Sequence, residues 1–349
     1  MSSFRNPIHC LIPPHVFDHM AQSKDPKTRR LAVDALTAGA EVRTMRSMLG
    51  VMPVMSAIPS PAGKKHRLVY DMQGKRYPLP GKLVRSEGSR ASKNPAVNEA
   101  YNGSGTTYDF YLKVLGRNSL DDRGMALISS VHFQRNYNNA FWNGEQMAYG
   151  DGDGQIFRRF TGSVEVIGHE LTHGVVTHTC NLEYENQPGA LNEHFADVFG
   201  CLVEQWKNDQ TAKEAGWLIG NEIMGPAVSA KSLRTMKAEK AYENDPILGT
   251  DPQPKHMTDF YKGSEDYGGV HINSGIPNHA FYLVATALGG RAWEKAGLIW
   301  YDTMLKLQRL SQFQEAAETT VQVAGTRYGN ASLEQKAVRQ AWKDVGIKV

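Results

Sequence analysis

The feature that most constrains this chain is the pentapeptide His-Glu-Leu-Thr-His at residues 169–173. Two histidines four residues apart project from the same face of an α-helix, and the glutamate beside the first one comes close to whatever they bind. The flanking segments 162–168 and 174–176 carry apolar residues at the spacing of a buried helix. The pentapeptide therefore predicts two zinc ligands, His169 and His173, and a general base, Glu170.

A catalytic zinc ion takes three protein ligands and leaves a fourth position for water or substrate, so a third ligand is needed. One class of zinc protease uses a histidine six residues past the second histidine and a glycine three residues past it. Here those positions hold Thr179 and Val176, which excludes that class. The better candidate is Glu193, because apolar residues around it mark a second helix. Asp197, one turn further, can orient a zinc-bound imidazole, whereas His194 faces another way and is expected to be a surface or packing residue.

Four further segments resemble the thermolysin-type metallopeptidases. They are residues 138–144 (Asn-Asn-Ala-Phe-Trp-Asn-Gly), 147–154 (Met-Ala-Tyr-Gly-Asp-Gly-Asp-Gly), 232–234 (Ser-Leu-Arg) and 266–275 (Asp-Tyr-Gly-Gly-Val-His-Ile-Asn-Ser-Gly). The likeness runs from about Arg67 to the C-terminus. Zinc aminopeptidases also pair the pentapeptide with a downstream glutamate, but their Gly-Ala-Met-Glu-Asn motif is absent. The resemblance implies a zinc endopeptidase.

The resemblance also implies an α+β fold with two lobes, a β-rich N-terminal lobe and an α-helical C-terminal lobe, with the zinc helix between them. Short runs between Gly, Asn and Asp predict strands at residues 68–70, 106–108, 125–133 and 148–149. Helical patterns dominate from residue 164, with Ser311 and Ser332 as predicted N-caps. We expect a propeptide at 1–55, a β-rich catalytic lobe at 56–180 and a helical lobe at 181–349.

Peptide hydrolysis assigns roles to the residues around the zinc site. Glu170 is expected to take a proton from the water that attacks the peptide and to pass it to the leaving amine. By resemblance, His271 donates a hydrogen bond to the oxyanion, Asp266 orients that imidazole, and Tyr184 is a second donor. For Tyr184 the alternative is a packed aromatic ring whose hydroxyl reaches water.

The resemblance implies a further set of residues that position the substrate. Asn139 and the main-chain carbonyl of Ala140 lie on an edge strand that pairs with an extended peptide, and Arg234 binds a carbonyl just past the scissile bond. The apolar pocket for the residue after that bond is built from Phe157, Val166, Ile219 and Leu233. Cleavage before bulky hydrophobic residues is the implied preference, although ordinary core packing would explain the same four side chains.

The sequence departs from the family at the paired calcium site. Glu165 and Glu204 stand where two of its carboxylates are expected, but the positions that should add more carboxylates hold Gly216, Leu218 and Asn221. Calcium needs six to eight oxygen ligands, so we expect at most one weakly bound calcium ion. The Asp-Gly-Asp-Gly stretch at 151–154 is interpreted as a tight turn.

The N-terminal segment resembles the short propeptide of the protealysin group, which carries a Pro-Pro motif near its start. Prolines predict an extended stretch at residues 7–17, and Asp25-Pro26 predicts the start of a helix that Gly50 ends. Residues 52–63 are a predicted linker, and residues 64–67 a solvated basic patch that a protease could cut.

We hypothesise that the extended segment enters the active site and that the thiolate of Cys10 fills the open zinc position. His9 is the other candidate for this capping ligand. The alternative is that Cys10 is a small buried residue that packs the segment against the domain.

Composition limits the remaining functional classes. The 349 residues carry a net charge of only +3 and no run of Lys or Arg longer than two, so neither nucleic acid nor membrane is an expected partner. Three cysteines, Cys10, Cys180 and Cys201, do not suggest a disulfide framework. The start lacks the pattern of a standard secretion signal, so we expect cytoplasmic synthesis, with any export by a non-standard route.

The sequence thus predicts a monomeric zinc endopeptidase in precursor form, whose partners are peptide substrates, its own propeptide and a protein inhibitor. The competing hypothesis is a catalytically silent, zinc-dependent peptide-binding protein. Retention of both Glu170 and His271 argues against it, because binding alone would require neither.

Overall fold

The computed structural model describes residues 9–49 and 63–349, with side chains at residues 10–41 and from residue 63 onward. The N-terminal segment and first lobe comprise β1 (His9–Cys10), α1 (Pro14–Ala21), α2 (Pro26–Leu49), β2 (Arg67–Asp71), β3 (Lys82–Ser86), α3 (Pro95–Leu115), β4 (Leu127–Val131), β5 (Ala140–Trp142), β6 (Met147–Tyr149) and α4 (Val164–Thr177). The second lobe comprises α5 (Asn186–Lys207), β7 (Leu218–Ile219), β8 (Arg234–Thr235), α6 (Glu265–Asn273), α7 (Gly275–Leu288), α8 (Ala296–Met304), α9 (Phe313–Tyr328) and α10 (Leu333–Asp344). The predicted α+β architecture is confirmed.

The described strands form a six-stranded sheet in the order β1-β5-β6-β4-β2-β3 and a two-stranded sheet of β7 and β8. In the larger sheet, β2 with β4 and β4 with β6 are parallel pairs, and the other neighbours are antiparallel. Strand β1 comes from the N-terminal segment, so without it β5 would be the edge of the sheet. This edge is where the sequence predicts substrate pairing.

Helix α3 replaces one of the predicted strands. Residues 106–108 lie in its middle. The helix has strong end signals: the Asn94 side chain accepts a hydrogen bond from the N–H of Ala96, Pro95 occupies the first turn, and Gly116 ends the helix in a left-handed conformation. These caps outweigh the β preference of three central residues.

Helices α4 and α5 pack closely because small residues lie at their contact. A Cβ atom on Gly200 would lie 2.9 Å from the carbonyl oxygen of Glu165 and 3.0 Å from the backbone nitrogen of His169. Any side chain there would therefore push the helices apart. Ser163 caps α4, accepting a hydrogen bond from the N–H of Val166. The predicted pair of buried helices is present, and its close approach sets the geometry of the site.

The N-terminal segment is extended only as far as residue 13. Helix α1 begins at Pro14, so the prediction of an extended stretch to residue 17 is wrong beyond that point, since proline is well tolerated in a first helical turn. Asp25 accepts a hydrogen bond from the N–H of Thr28 at the start of α2. The apolar side chains that pack this segment into the common core are Leu11, Ile12, Val16, Phe17, Met20, Leu31, Ala32, Ala35 and Ala38.

The predicted boundaries of the propeptide and the predicted N-caps of the last two helices differ in whether the structure describes them. The predicted end of α2 at Gly50, the linker up to residue 62 and the boundary between residues 55 and 56 lie outside the described residues. Ser332 caps α10 as predicted, accepting from the N–H of Gln335, whereas α9 starts at Phe313 and the hydroxyl of Ser311 accepts from the N–H of Gln308 instead. None of the described helices is long and apolar enough to cross a membrane.

Candidate metal centre and substrate cleft

Three buried side chains from α4 and α5 converge on one point. The Nε2 atoms of His169 and His173 lie 3.2 Å apart. The carboxylate of Glu193 lies 3.6 Å from the first of these nitrogens and 3.4 Å from the second. Within the described part of the chain, this is the one group of three such side chains whose ligand atoms lie within 4.8 Å of one another. The three predicted ligands are therefore brought together.

The contacts of the two Nδ1 atoms determine the tautomer of each imidazole, and so whether its Nε2 atom can bind a cation. Nδ1 of His169 lies 2.9 Å from Asp197, and Nδ1 of His173 lies 2.9 Å from the amide oxygen of Asn192. Both neighbours are acceptors, so each Nδ1 carries the proton and each Nε2 presents a lone pair to the centre. Asp197 was predicted from the sequence for this task, but Asn192 was not.

The donor set fits a cation. Two lone pairs and a carboxylate facing one another would repel unless a positive ion lay between them. Oε2 of Glu193 is buried and accepts no hydrogen bond from the described residues. Two neutral imidazoles and one carboxylate, with the second nitrogen of each imidazole 2.9 Å from an acceptor, are the ligands and the outer contacts of a catalytic zinc site.

Asp197 also anchors the predicted substrate arginine. Arg234 donates two hydrogen bonds to its carboxylate, at 2.9 and 2.7 Å, and the amide of Asn278 donates a third at 2.8 Å. Burial alone would raise the pKa of Asp197, but the guanidinium of Arg234 and the contact with His169 hold it well below its usual range. Asp197 is therefore a fixed negative charge between His169 and the arginine that is predicted to bind substrate.

Glu170 lies on the same helix and is fully buried. Burial raises its pKa well above the usual value, and the nearby carboxylate of Glu193 adds to this rise, while the main chain of Trp142 and the charge of Arg234 oppose it. A carboxyl group whose affinity for protons is raised in this way is suited to accept one near neutral pH.

His271 is held by an unusual backbone turn. The four residues 266–269 all have positive φ, between 52° and 81°, which makes one left-handed turn just before it. Asp266, at the start of that turn, accepts hydrogen bonds from the backbone N–H of His271 at 2.8 Å and from its Nδ1 at 2.7 Å. Burial alone would lower the pKa of His271, but Asp266 and Glu193 raise it to about 9. The ring is therefore protonated at neutral pH, and Nε2 is a donor that points into the cleft.

Tyr184 joins these groups from the loop before α5. Its hydroxyl donates a short hydrogen bond to Oε1 of Glu193 and lies 3.3 Å from Nε2 of His271. The residue is buried. The alternative in which its hydroxyl reaches water does not describe this structure, because the hydroxyl points to the metal centre instead.

The N-terminal segment crosses the cleft in an extended conformation. Strand β1 pairs antiparallel with β5, and Nε2 of His271 lies 3.0 Å from the carbonyl oxygen of Cys10. The N–H of Leu11 donates to the carbonyl of Ala140 at 3.3 Å, and its own carbonyl accepts from Arg234 at 3.3 Å. One residue further, the N–H of Ile12 donates to the side chain of Asn139 at 3.0 Å. The residues predicted to bind a substrate backbone all bind this segment.

The prediction that the thiol of Cys10 caps the metal centre stays a prediction. The group of converging ligand atoms comprises His169, His173 and Glu193 and does not include the sulfur of Cys10. Cys10 lines a cavity of about 610 Å³ that Tyr184 and His271 also border. The residue approaches the centre through its main-chain carbonyl, which contacts His271, while the side chain of His9 lies outside the described residues.

The four predicted pocket residues are buried in the same core as Leu11. They are Phe157, Val166, Ile219 and Leu233. The backbone N–H of Leu233 donates to the carbonyl of Ile219 at 2.9 Å, where β7 and β8 meet. Arg234 follows directly and holds the carbonyl of Leu11. Leu233 and Ile219, which pairs with Arg234 across the two strands, thus lie beside the group that fixes Leu11.

Among the residues that the structure describes, the predicted calcium ligands Glu165 and Glu204 do not form a metal-binding group with a third such side chain. Glu165 is buried, accepts a hydrogen bond from the N–H of Gly220 at 2.9 Å, and burial raises its pKa to about 8. Burial also raises the pKa of Glu204 to about 7, with a further contribution from Glu222. The stretch 151–154 is a turn closed by Asp153, whose side chain accepts three backbone N–H groups.

His194 has a structural role. Its Nε2 accepts a hydrogen bond from the indole of Trp300 at 2.7 Å, and its Nδ1 lies 2.7 Å from the amide of Asn278. The residue is buried, which fits the predicted packing role and not a surface position. Because Asn278 also donates a hydrogen bond to Asp197, His194 helps to position Asp197 through Asn278.

Family models match both lobes of the chain. The catalytic domain of the thermolysin metallopeptidases matches residues 62–177, and their alpha-helical domain matches residues 180–347. These two segments account for most of the sequence and meet just after α4.

Individual relatives support the same grouping. The chain is 43% identical over 346 residues to the extracellular metalloprotease of Pectobacterium carotovorum subsp. carotovorum, covering 98% of this chain and 97% of that protein. It is 50% identical over 289 residues to protease PrtS of Photorhabdus sp. (strain Az29), covering 81% and 77%. A thermolysin of Alicyclobacillus acidocaldarius subsp. acidocaldarius is 40% identical over 282 residues, which are 78% of this chain and 49% of that protein.

A solved structure extends the similarity to the N-terminal segment. The precursor of protealysin, a metalloproteinase from Serratia proteamaculans, superimposes with a TM-score of 0.88 at 44% identity, covering 97% of this chain and 99% of that one. One conclusion follows from the matches to the catalytic and alpha-helical domains, the converging histidines and glutamate, and the N-terminal strand in the cleft. The chain belongs to the thermolysin family of zinc metalloendopeptidases and is similar to the protealysin precursor throughout its length.

Proposed function

We propose that this chain is the latent form of an endopeptidase, in which the propeptide blocks the cleft until it is removed. The observation that carries the proposal is the contact between the Cys10 carbonyl and His271, together with the pairing of β1 and β5. A substrate would need the same backbone groups on β5 and the same arginine, so segment and substrate exclude each other. The catalytic residues themselves are already in place, so latency arises from occupancy of the cleft.

The chemistry proposed for the mature enzyme uses four groups. Zinc, when bound, supplies a Lewis acid and lowers the pKa of a coordinated water. Glu170 accepts a proton from the attacking water and delivers it to the leaving nitrogen. His271, protonated and held by Asp266, donates to the developing oxyanion, and Tyr184 is the second donor. Loss of one such donor typically lowers kcat about 10²–10³-fold.

The proposed substrate preference is a bulky hydrophobic residue directly after the scissile bond. Leu11 supports this preference, because its carbonyl is bound by Arg234 and its side chain is fully buried. Recognition of the backbone through Asn139 and Ala140 is independent of sequence, so the pocket supplies the selectivity.

The proposed organisation is a propeptide at 1–55 and catalytic lobes at 56–180 and 181–349, and the family matches at 62–177 and 180–347 support the division. We propose that the enzyme acts on proteins outside the cell after synthesis in the cytoplasm. The support is the name of its relative, an extracellular metalloprotease. At most one calcium ion is proposed, bound weakly near Glu165 and Glu204.

The decisive experiment is Glu170→Ala in the full chain. Purified wild type is incubated with zinc, its new N-terminus is mapped, and hydrolysis of a peptide with an internal leucine is followed. The variant should bind zinc in the same molar ratio, measured by atomic absorption, but should neither mature nor hydrolyse the peptide. Glu318→Ala, which changes an exposed glutamate on α9, is the matched control and should behave like wild type. Unchanged hydrolysis by Glu170→Ala would refute the mechanism and leave zinc-dependent peptide binding as the competing function.

A further inference from the structure

The peptide bond between Cys10 and Leu11 lies between the groups that act on a scissile bond. On one side, the Cys10 carbonyl oxygen is 3.0 Å from the donor nitrogen of His271. On the other side, the Leu11 carbonyl accepts from Arg234 at 3.3 Å. The intervening N–H donates to the carbonyl of Ala140 at 3.3 Å. The Cys10-Leu11 bond is therefore held by hydrogen bonds to both flanking carbonyls and to its own N–H.

The direction of the segment is that of a substrate. It runs antiparallel to β5 with Cys10 opposite Phe141 and His9 opposite Trp142. Beyond the bond, the N–H of Ile12 donates to the side chain of Asn139. A segment bound in the reverse direction would present its carbonyls and N–H groups to the wrong partners. Here each carbonyl meets a hydrogen-bond donor, His271 for Cys10 and Arg234 for Leu11, as the carbonyls of a peptide about to be hydrolysed would.

The residue after this bond also suits the proposed preference. Leu11 is a bulky aliphatic residue with no exposed surface. The arginine that holds its carbonyl is next in the chain to Leu233, one of the proposed pocket residues. The segment thus meets the backbone and side-chain requirements that the proposed function sets for a substrate.

We propose that the enzyme hydrolyses its own Cys10-Leu11 bond within the same molecule, an inference that rests on the proposed function. The oxygen of one water molecule bonds to the carbonyl carbon of Cys10, the C–N bond breaks, and the leaving nitrogen of Leu11 takes up a proton. The products are a peptide of residues 1–10 ending in a carboxylate and a chain that begins with the amine of Leu11. No oxidant or second reactant is required.

The cut leaves the cleft half occupied. The leaving amine cannot diffuse away, because Ile12 stays bonded to Asn139 and the side chains of Val16, Phe17 and Met20 anchor α1 in the core. A nucleophile held beside its former partner has a high effective concentration, so the bond re-forms repeatedly. Departure of residues 1–10 makes the cut permanent, and full activity still requires removal of the remainder of the propeptide.

The test measures mass and not activity. Full-length protein is purified with a chelator, zinc is added, and intact mass and N-terminal sequence are followed over time. The expected result is loss of residues 1–10 and a new N-terminus at Leu11, with a first-order rate that is the same across a wide range of protein concentration. Cleavage whose rate grows with concentration would overturn the intramolecular assignment.

Two variants make the result decisive. A full-length Glu170→Gln chain, distinguished by its mass and mixed with wild type, should keep residues 1–10, because its own site cannot cut and its bond is hidden from other molecules. A Leu11→Asp chain should not be cut at this bond, since an unpaired carboxylate is disfavoured in an apolar pocket, yet should hydrolyse an added peptide because its cleft is open.

The possible failures are distinguishable. If Leu11→Asp hydrolyses the added peptide while wild type with zinc retains residues 1–10, the self-cleavage inference is wrong and the proposed function stands. If zinc-loaded Leu11→Asp is folded by circular dichroism but hydrolyses nothing, and wild type is also uncut, the proposed function fails as well. If Leu11→Asp does not fold, the mass of wild type alone decides the inference.

Discussion

Truncation of Leu11 should shift the equilibrium between the closed and the open cleft toward the open state, and the burial of Leu11 allows us to estimate the size of this shift. Leu11 has no exposed surface while the segment is docked, and its side chain enters water when the segment leaves. Replacing a buried leucine by alanine typically costs about 2–5 kcal/mol. In Leu11→Ala this cost falls on the closed state only, so it shifts the equilibrium toward the open cleft.

The shift translates directly into an initial rate. Each 1.4 kcal/mol changes an equilibrium tenfold, so Leu11→Ala should raise the open fraction about thirtyfold at the lower limit and about a thousandfold or more at the upper limit, until the enzyme is fully open. Because the segment lies at a solvent-accessible cleft where water can fill part of the gap, we expect the lower end of this range.

The assay is the initial rate of hydrolysis of an internally quenched peptide, recorded directly after zinc is added to the full chain. Val33→Ala is the control, because it removes a similar group from the same segment at a side chain that is 53% exposed, and its rate should equal that of wild type. A Leu11→Ala rate that is indistinguishable from wild type, in a protein with unchanged circular dichroism, would mean that Leu11 does not hold the cleft closed.

Three further predictions test the supports of the site. Asn192→Ala should lower zinc affinity about 10–100-fold, because the ring of His173 loses its outer acceptor, and competition with a chelator measures this directly. Gly268→Ala should lower the free energy of unfolding by about 1–2 kcal/mol or more, since φ there is +81° and a Cβ would lie 2.3 Å from the amide oxygen of Asn186. An unchanged urea midpoint would contradict this estimate. Burial lowers the pKa of His15 to about 4, so the folded state binds fewer protons than the unfolded state between that pH and the usual value of about 6.5. The free energy of unfolding should therefore fall as pH drops from about 6.5 toward 4, and His15→Asn should show a smaller fall over the same range.

The metal ligands were predictable from sequence because their geometry is local. His169 and His173 are related by one helical turn, and Glu193 lies on a second helix whose apolar periodicity is visible. Asn192 was missed because an asparagine next to a ligand has no distinguishing spacing. Its role depends on the angle at which α4 and α5 cross, which is set by close packing at Gly200.

Predictions that depended on short windows failed where distant groups decide the outcome. The basic patch at 64–67 was expected to be solvated, yet Lys65 lies 2.6 Å from the carboxylate of Asp109, and Arg67 stacks on the ring of Tyr101 and begins a strand. These partners lie more than thirty residues away in sequence. No local sequence pattern predicts these contacts with Asp109 and Tyr101.

The hypothesis that the thiol of Cys10 caps the zinc ion stays a prediction. The sequence indicated that this residue reaches the active site, and the structure places it there. Sequence reasoning favoured the thiol because sulfur is a good zinc ligand, but a strand that pairs with an edge presents its carbonyls along the pairing direction and its side chains to the two faces. Which atom of a residue meets the metal centre therefore depends on register, and register cannot be read from one segment alone.

The carboxylate of Asp197 has a consequence for how this enzyme can change over time. It holds Nδ1 of a zinc ligand and, through two hydrogen bonds, the guanidinium that grips the backbone of the bound peptide. Metal retention and peptide affinity therefore share one anchor. A substitution that tunes either property by moving this anchor alters the other, so Asp197→Asn and Arg234→Lys should not have additive effects when combined. Substitutions in the apolar pocket can change specificity without affecting the metal site. Substitutions of Arg234 cannot, because Arg234 and His169 share the carboxylate of Asp197.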